Sequence, residues 1–302
     1  MRAEFAQAMI GLHAQYPNFI FVSGDLGYMA LEKVIETYRE RFVNAGVAEQ
    51  NMISIAAGLA YEGFIPWVYS IAPFAVLRPY EQIRNDVCLH NLPVKIVGNG
   101  GGYGYGIMGA THHTLEDIGV MRVLPNMKVY VPLVSSDVRE AVQAMAVDPS
   151  PNYLRLNLPA KVDYPIGSFR QWRKIKDGRT CVLIGTGPVM GNVLESSTRE
   201  LIDDVEIWSV GIFPLHGLPA EVVSSVKTKR KVLTLEEHYG QCGLNETIAS
   251  LLLDSIDCAI TYKGLYAKGY LSGKYGSQRW HQEENGLAGD GLVSQLREVV
   301  HA

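Results

Sequence analysis

The stretch 41-RFVNAGVAEQNMISIAAGLAYEG-63 turns from a short apolar segment into a helix rich in Ile, Ala, Met and Leu, with a carboxylate, Glu49, at its start. ISIAAGLAYEG (53–63) reads as the helix proper, closed by Gly63. An acid in a first turn complements the positive end of the helix dipole. A lone carboxylate at the head of an otherwise apolar helix is also a place for acid–base chemistry. On the N-terminal side, FIFVSGDL (19–26) reads as a strand running into a loop; on the other, IPWVYSI (65–71) is a second strand. Farther out come RPYEQIRNDVCLHN (78–91), a helix with Pro79 in its first turn, and VKIVGN (94–99), a buried strand opening into a Gly-rich loop. MKVYVPL (127–133) is another strand, followed by the helix SDVREAVQAMA. Short apolar runs alternating with amphipathic segments predict α/β units around a parallel sheet.

The pattern weakens between Pro159 and Gly178, where KVDYPIGSFRQWRKIKDG mixes Pro, Gly and charge. It resumes with the strands TCVLIGTG (180–187), VEIWSVG (205–211) and KVLTLEEH (231–238), with helices between. The expected fold is therefore α/β: two consecutive three-layer α/β domains with mostly parallel sheets. The first is expected over 1–160 and the second over 179–302, joined by a linker over 161–178. No internal repeat or low-complexity tract interrupts them.

The chain of 302 residues is 47% apolar and 19% charged, enough for full cores and too hydrophobic for disorder. A net charge of -4 gives no basic footprint, so neither nucleic acid nor an anionic membrane is an expected partner. The N-terminus lacks an uninterrupted apolar core followed by a small-residue cleavage site, and no run approaches the roughly 18 apolar residues of a membrane helix. Cys88, Cys181, Cys242 and Cys258 form no CxxC or Cys/His pattern. Reduced thiols in a cytoplasmic protein are the expected reading.

Three features carry candidate chemistry: Glu49 in AGVAEQN, the run YSIAPFAVLRPYEQIRNDV, and the loop GNGGGYGYGIMGATHHTLED. The loop invites a nucleotide-binding reading, because glycine lets backbone amides approach a phosphate. It does not open a helix directly after the strand, as GxGxxG should, and the chain has no GK[ST]. It leads instead to Thr111, His112 and His113, before the expected helix TLEDIGVMRVL. Adjacent histidines rarely ligate one ion without further Cys, Asp or His at regular spacing, so no metal is expected on this chain. No GxSxG is present to start a serine triad.

In order and spacing these features resemble the transketolase family of thiamine-diphosphate enzymes, specifically a pyrimidine-binding domain followed by a C-terminal domain. The resemblance runs through SGDL, FVNAGVAEQNMISIAAGLAYEG, PFAVLRPYEQIRNDV, GATHHTLEDIGVMRVLPNMKVYVP, YLRLNLP and VLTLEEHYGQCGLNE. It implies that Glu49 is the carboxyl group that hydrogen-bonds the cofactor's pyrimidine N1′ atom and so activates the cofactor. It implies that Phe74 stacks on the aminopyrimidine and that Asp25, in SGDL, contributes to cofactor binding. It also implies that His112 contacts the substrate oxygen as proton donor or acceptor, and that Arg155 grips a sugar phosphate with its planar fork. Glu236, Glu237 and His238 are expected in interface packing and hydrogen bonding.

The departures alter substrate reading. Met108 stands where the family's GEDGxTH pattern has an acid, Gly100 where a second histidine is common, and Met29 where a serine is expected. The only Gly-Asp-Gly, residues 289–291, reads as a turn and N-cap before the last helix rather than as the family's diphosphate motif. The resemblance thus implies that Mg2+ (or Ca2+) and the cofactor's diphosphate are held by a partner, the diphosphate-binding subunit of a split transketolase, in an α2β2 heterotetramer. The expected reaction transfers a two-carbon ketol unit from a ketose to an aldose, on a sugar or sugar-phosphate substrate. The alternatives are the β subunit of a 2-oxoacid dehydrogenase, a pyruvate-using synthase, and a degenerate scaffold or regulatory paralogue.

Overall fold

Strand β1 (Phe19–Ser23) is buried at every position and alternates its side chains between two cores: Phe19 and Phe21 enter one, Ile20 and Val22 the other. A strand covered on both faces needs no polar alternation, which is why this region reads as an unbroken apolar run. The computed structural model describes residues 1–27, 29–162, 166–194 and 201–300; residues 163–165 of the expected linker lie outside the described residues.

The remaining strands are β2 (Phe42–Asn44), β3 (Ile65–Ile71), β4 (Lys95–Asn99), β5 (Lys128–Tyr130), β6 (Asn152–Leu156), β7 (Trp172–Lys176), β8 (Cys181–Thr186), β9 (Val205–Val210), β10 (Ile212–Phe213), β11 (Lys231–Tyr239) and β12 (Thr261–Ala267). They form a seven-stranded sheet, β10-β5-β6-β4-β3-β1-β2, and a five-stranded one, β12-β11-β8-β9-β7. All pairings are parallel except β10 with β5 and β7 with β9. The fold is the expected α/β arrangement with mostly parallel sheets. Helices Arg2–Leu12 and Ser135–Val147 cover one face of the larger sheet through Phe5, Met9, Val138 and Val142. Helix Glu49–Tyr61 lies on the opposite face, burying Met52, Ile53, Ala56, Ala57 and Ala60 at helical spacing.

The second core is continuous between the sheets: Val68, Ile96 and Val129 of the first belong to the same apolar cluster as Val182, Ile184 and Val232 of the second. One edge strand starts the second sheet earlier than expected, and another joins the two sheets. Strand β7, inside the stretch expected to be linker, pairs with β9. Strand β10 crosses back to extend the larger sheet through Ile212–Tyr130 and Phe213–Val129.

Two helices differ from expectation. Residues 78–91 do not form one regular helix: a turn at Tyr80–Gln82 passes into a π-helix at Ile83–Cys88. The helix expected from Thr114 covers only Asp117–Arg122, because Thr114 pairs with Gly102 in an isolated antiparallel bridge and is held out of the helix.

Candidate active site

Glu49 is the first residue of its helix and only 4% exposed. It owes this place to the β2 to helix connection, where the Asn44 side-chain oxygen accepts from the backbone N–H groups of Gly46 and Asp25, at 2.9 and 3.1 Å. The Asn44 amide donates in return to the Asp25 carboxylate at 3.0 Å. Asp25, in the left-handed region at φ 58°, thereby ties the loop after β1 to the loop that delivers Glu49.

One guanidinium completes the Glu49 site. Arg78 Nη1 donates to Glu49 Oε1 at 2.9 Å, and its guanidinium carbon lies 3.7 Å from the centroid of the Phe74 ring. Arg78 is 46% exposed and stands at the mouth of an open cleft of about 380 Å3, lined by Val47, Ala48, Glu49, Gln50 and Asn51. Phe74 and Arg78 are four residues apart on a helical turn, which folds the guanidinium back over the ring. That spacing is present in PFAVLR, although nothing in the sequence alone singles out Arg78.

His112 joins the same group. Its ring stands edge-on to Phe74 with centroids 5.3 Å apart, and the Thr111 hydroxyl lies 3.0 Å from its Nδ1. Donation by that hydroxyl puts the proton of the neutral ring on Nε2, facing away from Thr111. The ring of Tyr105 lies 6.0 Å from His112 on another side. Glu49, Phe74 and His112 are thus brought together from the starts of two helices and the end of the Gly-rich loop.

Arg155 is not in this group; it is engaged inside the chain. It is 3% exposed; its Nε donates to Asp117 at 2.8 Å, and its Nη2 to the carbonyls of Glu237 and Thr114 at 3.0 and 3.2 Å. Two of the three guanidinium nitrogens are thus turned inward onto groups of the same chain, which makes Arg155 a support of the fold. Tyr153 donates to the same Asp117 oxygen at 2.8 Å. Asp25 likewise pairs with Asn44 rather than with Glu49 or Phe74.

The Gly-rich loop answers a structural demand rather than a phosphate. Tyr103 N donates to the Glu237 carboxylate at 2.6 Å, and a side-chain carbon at Gly102 would collide with that same carboxylate. Gly100 N and Gly101 N donate to Leu156 O. Glu237 also accepts from Gln278 and Gln282, and burial pushes its carboxyl above the usual range. Glu236 accepts from Leu244 N and Asn245 N at the start of helix Leu244–Ser255; burial pushes it up to about 8. His238 accepts from Gly119 N. Glu237 and His238 therefore tie the two units of this chain together, while Glu236 caps a helix of the second. His113, next to the candidate catalytic histidine, is buried between Gly106 O at 2.8 Å and Tyr270 Oη at 3.0 Å.

All four cysteines are free. Among the described residues, no group of three His, Cys, Asp or Glu is placed to hold a metal ion, and no helix is long and apolar enough to cross a membrane. Residues 289–291 form the first turn of the last helix, Gly289–Val300, which packs on the second unit.

Comparison with known proteins adds a consistent set of likenesses. The family described as "Transketolase, pyrimidine binding domain" matches residues 1–160. The chain is 29% identical over 269 residues to one of the subunits of the apulose-4-phosphate transketolase of Actinobacillus succinogenes, covering 86% of this chain and 85% of that one. It is also 29% identical over 266 residues to a 6-deoxy-6-sulfo-D-fructose transketolase subunit of Clostridium sp. (strain MSTE9), covering 86% and 81%. Among solved structures, a split-gene transketolase in the form of an inactive β4 tetramer superposes with a TM-score of 0.82 at 26% identity, over 99% of this chain and 97% of that one.

Proposed function

The chain belongs to the transketolase family, and from this we propose that it is the pyrimidine-binding subunit of a two-chain, thiamine-diphosphate-dependent enzyme that moves a two-carbon ketol unit from a ketose to an aldose. One observation carries the reading of the site: the Arg78 guanidinium simultaneously donates to Glu49 and lies on the face of Phe74. A guanidinium is planar, delocalised and edged with N–H groups. A site that takes it in this way has the carboxylate and the flat aromatic face that an aminopyrimidine ring requires, so Arg78 is an internal stand-in for the cofactor's ring.

Bound thiamine diphosphate would supply the carbon nucleophile for ketol transfer. Glu49 would hold a proton at the pyrimidine N1′ atom, from a position already removed from bulk water. Phe74 would keep the ring plane fixed once Arg78 swings out through the open side of the cleft. His112, with Nε2 directed away from Thr111, would give or take the proton of the substrate's carbonyl oxygen.

The diphosphate and its Mg2+ are assigned to a partner chain, since the described residues around Glu49 include no cation besides Arg78 and no set of metal-ligating side chains. Met29, Val47 and Ile107 support a covering chain. All three are exposed apolar residues that follow β1, β2 and β4, hence at one edge of the parallel sheet, and Val47 lines the Glu49 cleft. Two copies of each chain in an α2β2 assembly are the expected closed form. The names of the two relatives carry a sugar phosphate and a sulfo-sugar, and a sugar with an anionic phosphate or sulfonate end is the substrate class proposed here. A reducing compartment fits the four free thiols, and a cytoplasmic enzyme is the proposal.

The test is co-expression with a chain carrying a Gly-Asp-Gly and a downstream Asn. The pair should bind thiamine diphosphate with a divalent cation and transfer ketol units, while Glu49→Gln should lower kcat by about 10²–10⁴-fold with assembly unchanged. A donor screen of xylulose 5-phosphate, unphosphorylated ketoses and pyruvate separates ketol transfer from a pyruvate-using synthase. Full activity in the Glu49→Gln complex would overturn the assignment.

A further inference from the structure

We propose that Tyr105 is a specificity-determining residue that reads the substrate's hydroxyl groups beyond the reacting carbon, a role that rests on the transketolase reading of the site. Tyr105 lies between the His112 ring and a cleft. On one side its ring lies 6.0 Å from His112, which in turn stands 5.3 Å from Phe74. On the other it lines a second cleft of about 290 Å3 together with Arg2, Asn99, Gly100, Asn157 and Leu158. A substrate whose carbonyl meets His112 and whose chain continues into this cleft must pass Tyr105.

The sequence makes room for this ring at Gly100. That residue sits at φ 79°, and any side-chain carbon there would fall within the Tyr105 ring. The ring therefore packs directly on the backbone at the end of β4, where it is half-buried. Its hydroxyl is fixed from below: Asn99 Nδ2 donates to Tyr105 Oη at 2.9 Å. An oxygen that is already accepting in this way keeps its own O–H free to donate. Asn157 is otherwise occupied, because its Nδ2 donates to Gly101 O and its Oδ1 accepts from Leu158 N. Tyr105 is thus an oriented hydroxyl beside the half-buried His112. A hydroxyl-bearing carbon chain longer than a two-carbon aldehyde fits its chemistry.

The experiment uses the assembled two-chain complex and compares wild type with Tyr105→Phe, which keeps the ring and removes only the hydroxyl. Kinetics are measured with glycolaldehyde and with a four- or five-carbon aldose as acceptors, and binding of a five-carbon polyol is measured by calorimetry. The variant is expected to raise KM for the longer aldose about 10-fold, the usual effect of losing one well-placed hydrogen bond. Its kcat, its thiamine-diphosphate affinity and its KM for glycolaldehyde should stay within about twofold of wild type. Polyol binding should weaken by the same factor of about 10. Equal losses on both acceptors would mark a merely structural residue and overturn the proposal, as would unchanged polyol binding. Should the wild-type complex transfer no ketol unit, the functional reading falls by itself, and the polyol comparison still decides the role of Tyr105.

Discussion

Two adjacent histidines show how far a residue's role is set by its surroundings. His112 is half-buried beside Phe74, with a hydroxyl at its Nδ1, whereas His113 is enclosed between Gly106 O and the Tyr270 hydroxyl with His281 and Tyr103 around it. Burial pushes the His113 imidazole down to about 4. In the unfolded chain the same ring takes up its proton near pH 6.5. The folded state therefore binds fewer protons between those values, and the stability present above pH 6.5 is lost as pH falls toward 4, by up to about 3 kcal/mol. Unfolding free energies measured across that window should slope less steeply in His113→Gln than in wild type; identical slopes would show that the ring titrates normally. Burial lowers His238 and His281 as well, so part of the slope should persist in the variant. The place of Glu49 at the head of its helix was legible in the sequence because AGVAEQN is a local pattern. The pairing of His113 with Tyr270 was not, because its partner lies in the other half of the chain.

At the scale of elements, the ion pair between Arg155 of β6 and Asp117 of the helix Asp117–Arg122 decides how the site's supports are locked. It binds a strand of the large sheet to the helix after the histidine loop, and through Glu237 O to β11. Removing one member leaves a buried charge without its partner, at a cost of about 3–5 kcal/mol. Arg155→Ala should therefore lower the denaturant midpoint substantially. A variant of unchanged stability and raised substrate KM would instead restore Arg155 to the substrate. The strands were readable because runs buried on both faces are apolar throughout, as in FIFVS and CVLIGT. Strand β7, WRKIK, was not, since an edge strand with charged positions takes its pairing from β9 rather than from its own pattern. The π-helical turn at Ile83–Cys88 shares its residues with an ordinary helical pattern and was equally hidden.

At the scale of the molecule, the two sheets do not divide cleanly at the residues where the sequence changes character. The boundary near 160 remains our proposal for the first unit, yet its outer strand pair is completed by β10 and its loop by Glu237. Residues 1–160 expressed alone should lack the pairing at β5 and leave Arg155 and Tyr103 without partners on β11. Size-exclusion chromatography and near-UV circular dichroism should show association or a loosely packed state; a monomer with cooperative unfolding would contradict this. Composition and strand alternation revealed two α/β units, but a two-residue strand is too short to leave a periodic mark. The crossing of β10 has a practical meaning for anyone recombining relatives of this chain. Shuffling at the apparent boundary would separate a sheet from its own last strand, so a working chimera must inherit Ile212 and Phe213 from the same parent as Val129 and Tyr130.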